Sequence, residues 1–140
     1  MKNLLFVAIL LAFTQCSTNS VSPVEKYSST NLVGRWVWVK STGGFAGTTY
    51  TPESTNTTME LEFTSDSHKR VYKNGQLISD LTYHIVQDTS MYTGKPGPLI
   101  EYDQEGQRVS YDFEKGDLIL ADECYDCFVS RYTHKASGSD

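Results

Sequence analysis

The sequence is short of basic side chains, of proline, of cysteine and of any helical pattern, and each shortage narrows what it encodes. Lys and Arg together number 12 against 17 Asp and Glu, a formal net charge of −5. A nucleic-acid binder gathers positive charge on one face, so no nucleic-acid partner is expected. The chain contains no G-x-S-x-G, no H-E-x-x-H and no glycine-rich phosphate loop opening a helix. Without these signatures no catalytic residue, bound metal or cofactor is expected, and the reading is non-enzymatic. His68, His84 and His134 stand far apart and form no ligand-spaced pair. No stretch keeps a 3.6-residue apolar period for two full turns. The length of 140 residues fits a single domain.

Apolar residues are unevenly spread. Lys2 precedes an unbroken apolar run from Leu4 to Phe13. Such a run matches a signal-peptide core and is too short for a bilayer span, which takes about 20 apolar residues. It ends at Phe13-Thr14-Gln15-Cys16, which resembles the cleavage site of bacterial lipoprotein signals. That resemblance implies acylation of Cys16, a signal over 1–16 and a lipid anchor in the envelope. Ser17 after the cysteine implies the outer membrane. Phe13 and Gln15 depart from the usual Leu and small residue, and the alternative is a plain secretory signal cut nearby. Each buried CH₂ of an acyl chain contributes about 0.8 kcal/mol, so several chains anchor firmly. Residues 17–30 are polar and read as a flexible tether, and 135–140 as a disordered tail.

Between these ends, strand follows strand. Arg35–Lys40 is aromatic and β-branched, and Met59–Thr64 alternates apolar with acidic residues. Lys69–Lys73 and Gln76–Val86 flank Asn74-Gly75, a strong hairpin signal because a type I′ turn needs positive φ at both positions. Leu99–Asp103, Gln107–Glu114, Asp117–Ala121 and Phe128–His134 complete eight strands. Each presents one apolar face. An eight-stranded up-and-down antiparallel β-barrel over 31–134 hides those faces and the strand edges together. A two-sheet β-sandwich is the alternative, since alternation does not separate the two.

Asn31-Leu32-Val33-Gly34-Arg35-Trp36 resembles the G-x-W motif that opens the first strand of lipocalins, and the chain as a whole resembles the lipocalin-like domains of bacterial lipoproteins. The resemblance implies that Trp36 packs across the closed end of the barrel under an Arg of the last strand, for which Arg131 is the matching position. The T-D-Y motif and the long C-terminal helix of typical lipocalins are missing. Independently of the family, Gly34 allows a tight approach of the chain, and an Arg over an indole gains about 0.5–2 kcal/mol.

An eight-stranded barrel is either filled by its own side chains or holds one small ligand. Candidate inward residues are Trp36, Trp38, Met59, Leu61, Phe63, Leu81, Tyr83, Ile85, Tyr111, Phe113, Leu118, Leu120, Phe128 and Tyr132. Trp38, Phe63, Tyr83, Tyr111 and Tyr132 offer stacking surfaces for a small apolar or amphipathic molecule. The connection 41–58 is rich in Ser, Thr and Gly and carries Phe45 and Tyr50 as its aromatics. A connection so long is either a lid over the barrel mouth, with Phe45 and Tyr50 touching ligand or rim, or a surface loop. Cys124-Tyr125-Asp126-Cys127 reads as a short disulfide in an exported protein, with free thiols and a metal or redox role as the alternatives. Two functions follow from different classes: a tethered carrier of a small ligand, or an interaction protein that grips an envelope partner through its loops around a filled barrel.

Overall fold

The computed structural model describes residues 32–104 and 106–135. The signal, Cys16, the tether and residues 136–140 lie outside the described residues. Nine strands form: β1 (Gly34–Gly43), β2 (Thr48–Tyr50), β3 (Met59–Phe63), β4 (His68–Lys73), β5 (Gln76–Thr89), β6 (Pro96–Tyr102), β7 (Arg108–Glu114), β8 (Asp117–Asp122) and β9 (Phe128–His134). One short helix, α1 (Pro52–Thr55), stands between β2 and β3. Neighbours pair antiparallel in the order β2-β1-β3-β4-β5-β6-β7-β8-β9, and β1 also pairs with β9. That last pairing closes eight strands into an up-and-down barrel, the first of the two folds the alternation allowed. The sandwich alternative is thereby set aside. β2 is an extra ribbon on the upper end of β1, in a segment whose Ser, Thr and Gly carry no apolar alternation to announce a strand.

Turn chemistry sets the hairpins. Asn74 and Gly75 take φ of 51° and 78°, and Lys115 and Gly116 take 53° and 91°. Both tight turns thus have the paired positive φ that matches the twist of their flanking strands. The interior is one apolar cluster that includes Trp36, Leu61, Phe63, Tyr83, Tyr111 and Leu118. Ile100, Tyr102 and Val109 join them from strands whose inward faces were only partly foreseen. In register opposite Phe63, Lys69 also turns inward, with its ammonium 4.4 Å from the centre of the Tyr102 ring.

The lower end, where the described chain begins, is plugged. Leu32 is fully buried, and its carbonyl accepts from Trp36 Nε1 at 2.8 Å. The indole meets His134 edge-on at 5.0 Å between ring centres and Phe113 at 5.8 Å. Gly34 sits at φ 141°, and a Cβ there would fall 2.9 Å from His134 Nε2. A bare α-carbon is what lets the histidine close over this end. Lys135, expected in a disordered tail, is instead held, its N–H donating to the Arg35 carbonyl at 2.8 Å and its ammonium lying 3.2 Å from Glu60.

One hairpin leaves the wall. β5 and β6 pair from Tyr83↔Tyr102 to Thr89↔Pro96, but β6 and β7 pair only over Leu99–Glu101. Tyr102 N–H donates to the Gln107 carbonyl at 3.0 Å, so alternate β6 residues face β7 with their N–H groups. Pro98 and Pro96 occupy the next two such positions and have no N–H to give. Across the gap, Phe113 N–H donates to its neighbour's carboxylate, Asp112 Oδ1, at 2.8 Å. The prolines part the wall, and the β5–β6 ribbon folds over the outside of β7.

Candidate functional site

The opposite end of the barrel is the mouth. Its geometry begins with a bulge in β1: Trp38 pairs with Tyr132, yet Lys40 pairs with Arg131, so Val39 is the extra residue. The slip turns Lys40 to the outer face opposite Arg131 and brings Ser41 opposite Ser130 on the inner one. Trp38 Nε1 donates to Ser41 Oγ at 2.9 Å, and the Ser41 and Ser130 hydroxyls are 2.7 Å apart. The Tyr132 phenol hydrogen-bonds to Ser130. Burial pushes its pKa up to about 12, against the opposing effect of that hydrogen bond. A polar thread thus runs along an otherwise apolar wall.

Above this thread the segment between β1 and β3 folds into a roof. β2 places Tyr50 against Phe128, 5.8 Å between ring centres. α1 is fixed by a reciprocal cap, Ser54 N–H donating to Thr51 Oγ1 and Thr51 N–H to Ser54 Oγ. Thr58 N–H donates to Asn74 Oδ1, and Asn74 N–H to the Thr58 carbonyl, both at 2.9 Å. On the other side Gly44 N–H donates to the Cys127 carbonyl at 3.4 Å. A Cβ on Gly43 would lie 2.1 Å from that same carbonyl oxygen, so only glycine permits this approach. Cys124 and Cys127 form the expected disulfide, their Cα atoms 5.5 Å apart, in the β8–β9 connection that ends at Phe128. The roof is therefore tied to both neighbouring loops.

Between roof and thread lies a cavity of about 430 Å³ that is open to solvent over much of its surface. Trp38, Tyr50, Met59, Phe128 and Tyr132 supply its apolar surface, Ser41, Ser130, Thr55 and Thr57 its hydroxyls, and Lys73 its one cation. Among the described residues no carboxylate lines it.

The residues expected to contact a ligand divide by depth. Trp38, Tyr50 and Tyr132 come together in this cavity. Phe63 and Tyr83 meet edge-on at 5.4 Å lower in the barrel, and Tyr111 meets Phe113 edge-on at 6.1 Å. Those three fill the interior and do not line the mouth. Phe45, expected over the mouth, is 97% exposed at the tip between β1 and β2 and is absent from the cavity wall. Arg131 also departs from expectation: it lies outside the barrel, bonded to Glu114 and, at 2.9 Å, to Asp117. The Trp36 ring is met by His134, because β9 reaches register with Trp36 three residues beyond Arg131. Ser41, Ser130 and Lys73 were not foreseen. Their places follow from the bulge and from the inward face of β4, which no apolar alternation marks.

Elsewhere, two histidines pair with carboxylates on the outer surface. His68 Nδ1 lies 2.7 Å from Asp80, and His84 Nδ1 2.7 Å from Asp103. The His68 hydrogen bond, then that of Arg70, holds Asp80 below the usual carboxylate range. Among the described residues no three of His, Cys, Asp and Glu gather as a metal site, and no helix is long and apolar enough to cross a membrane.

Fold and site define a class: a closed eight-stranded up-and-down barrel, plugged at one end and roofed over a cavity at the other, consistent with a lipocalin-like architecture. Beyond that class, the chain matches no protein-family model, no curated protein and no solved structure.

Proposed function

We propose that this chain is a membrane-tethered, lipocalin-like barrel that binds or carries a small apolar or amphipathic molecule in the cell envelope, without catalysing a reaction on it. The observation that carries the reading is the open mouth cavity of about 430 Å³, of the size small-molecule sites take. The apolar part of the ligand lies against Trp38, Met59, Phe128 and Tyr132, and its polar end meets the Ser41–Ser130 hydroxyls or Lys73. Among the described residues that line the cavity there is no histidine and no carboxylate. His68 and His84 pair with carboxylates outside the barrel, and His134 stands against Trp36 at the far end. A lipid-anchored Cys16 and an outer-membrane location rest on the signal-like N-terminus. The described chain begins at the plugged end, which leaves the mouth facing away from the tether's junction.

Binding is tested with a fluorescent anilinonaphthalene sulfonate as probe and by native mass spectrometry for co-purified lipid. Met59→Trp, which fills the cavity, is expected to abolish probe binding while leaving the barrel folded. Probe binding unchanged by that substitution sinks the mouth as the site. Labelled palmitate incorporated into the wild type and lost in Cys16→Ser tests the anchor separately.

A further inference from the structure

A second cavity, of about 580 Å³, lies outside the barrel beneath the β5–β6 ribbon. Its floor is the outer face of four consecutive strands. Ile119 and Ala121 of β8 and Val129 of β9 form an apolar centre there, flanked by β7 and β1. Its wall is the ribbon that Pro96 and Pro98 release from the barrel. That wall is pinned in place: Ser90 is buried and donates to Glu123 Oε1 at 2.8 Å, Met91 N–H donates to the same carboxylate, and Asp88 pairs with Arg108 at 3.0 Å. The cleft is therefore preformed.

Its charges are distinctive. All four arginines of the chain are ion-paired: Arg35 with Glu60 and Glu62, Arg70 with Asp80, Arg108 with Glu101 and Asp88, Arg131 with Glu114 and Asp117. The charged side chains that line the cleft are Arg131 and Glu114, which pair with each other, Asp112, whose Oδ1 accepts from Phe113 N–H, and Lys40 and Lys95, neither of which has an ion pair among the described residues. Lys40 comes from β1, and Lys95 from the ribbon, where its carbonyl accepts from Ser90 N–H at 3.0 Å and Ser90 Oγ lies 3.4 Å from Ser110 of β7. Three strand spacings separate β7 from β1, about 14 Å. A ligand that satisfies both lysines carries two anionic groups at about that distance, with apolar substance between them.

An extended peptide advances about 3.3 Å per residue and turns alternate side chains to one face. Residues i, i+2 and i+4 then fall on one lysine, the apolar floor and the other lysine. We propose that this cleft binds an extended segment of a partner protein with the pattern acidic–x–apolar–x–acidic, at a site separate from the mouth cavity. A uniformly anionic polymer would leave the Ile119–Val129 floor without an apolar counterpart, and a single-headed lipid would meet only one lysine. The chain's overall negative charge disfavours acidic peptides elsewhere on its surface.

The test is fluorescence polarisation with the full chain and a labelled peptide, Glu-Ser-Val-Thr-Glu. Lys40→Ala and Lys95→Ala are each expected to weaken binding about tenfold, as is replacing either peptide Glu by Gln. Lys73→Ala, at the mouth, is expected to change nothing, and Met59→Trp likewise. Equal binding of the Gln peptide, or loss of binding in Lys73→Ala to the same degree, overturns the proposal. So does a wild type that ignores the peptide yet binds phosphatidylglycerol vesicles through Lys40 and Lys95, since the occupant is then a membrane.

Discussion

The two ends of the barrel are built from the same residue types to opposite effect. At the plugged end a tryptophan, Trp36, gives its indole N–H to a main-chain carbonyl and is enclosed by Leu32, Phe113 and His134. At the mouth another tryptophan two residues on, Trp38, gives its N–H to a serine hydroxyl and borders a cavity. Both indoles are buried and both hydrogen-bonded. What differs is the rest of the shell: apolar and aromatic atoms below, hydroxyls and a roof above. One end holds the fold together and the other leaves room.

The largest expected effect tests that contrast directly. Trp36→Ala is expected to destabilise the barrel by about 4 kcal/mol, since a large side chain leaves a closed, well-packed site. Trp38→Ala is expected to cost at least about 1 kcal/mol less, because one side of the indole already faces open space. Urea titration followed by far-ultraviolet circular dichroism compares the two. Equal losses erase the distinction between plug and mouth.

A second, smaller effect belongs to the mouth alone. The folded pKa of Tyr132 stands at about 12, above the ordinary phenol value near 10 of an unfolded chain. The fold thus favours the neutral phenol. Its contribution is fully present below about pH 10 and is lost as the pH rises toward 12, a loss of about 2–3 kcal/mol. Burial also raises the Tyr83 pKa, so part of any alkaline loss arises deeper in the barrel. Tyr132→Phe is expected to flatten the larger part of that slope, measured as urea midpoint against pH. A slope unchanged by the substitution places the sensitive group elsewhere.

Much of the barrel was legible in the chain because its signals are local. Alternation at Met59–Phe63, positive-φ turns at Asn74-Gly75 and Lys115-Gly116, and apolar faces on β5, β7 and β8 each depend on a few neighbouring residues. The site depends on register between distant strands, which those signals do not carry. Trp36 to Lys40 reads as unbroken alternation, so the Val39 bulge that brings Ser41 inward had no marker. The partner of Trp36 had to be chosen along β9, and a family likeness pointed to Arg131 where pairing with β1 selects His134. Pro96 and Pro98 are plain in the chain as residues that fix φ. Their larger consequence, two missing donors on the side facing β7, emerges only once β6 is known to be flanked on both sides.

The smallest effect sets the two layers against each other with one kind of substitution. The hydroxyls of Tyr83 and Tyr132 are both buried, but the Tyr132 phenol bonds to Ser130, whereas the Tyr83 hydroxyl meets no hydrogen-bond partner among the described residues. Removing a satisfied hydroxyl forfeits a hydrogen bond and leaves Ser130 poorer, so Tyr132→Phe is expected to destabilise by about 1 kcal/mol near neutral pH. Removing an unsatisfied one relieves a desolvation penalty, so Tyr83→Phe is expected to stabilise by about 1 kcal/mol. The ring of Tyr83, edge-on to Phe63, stays in place in either form. Thermal melts of the two single variants measure both signs. If Tyr83→Phe also destabilises, its hydroxyl is bonded in solution, and the barrel interior below the mouth holds a water molecule rather than side chains alone.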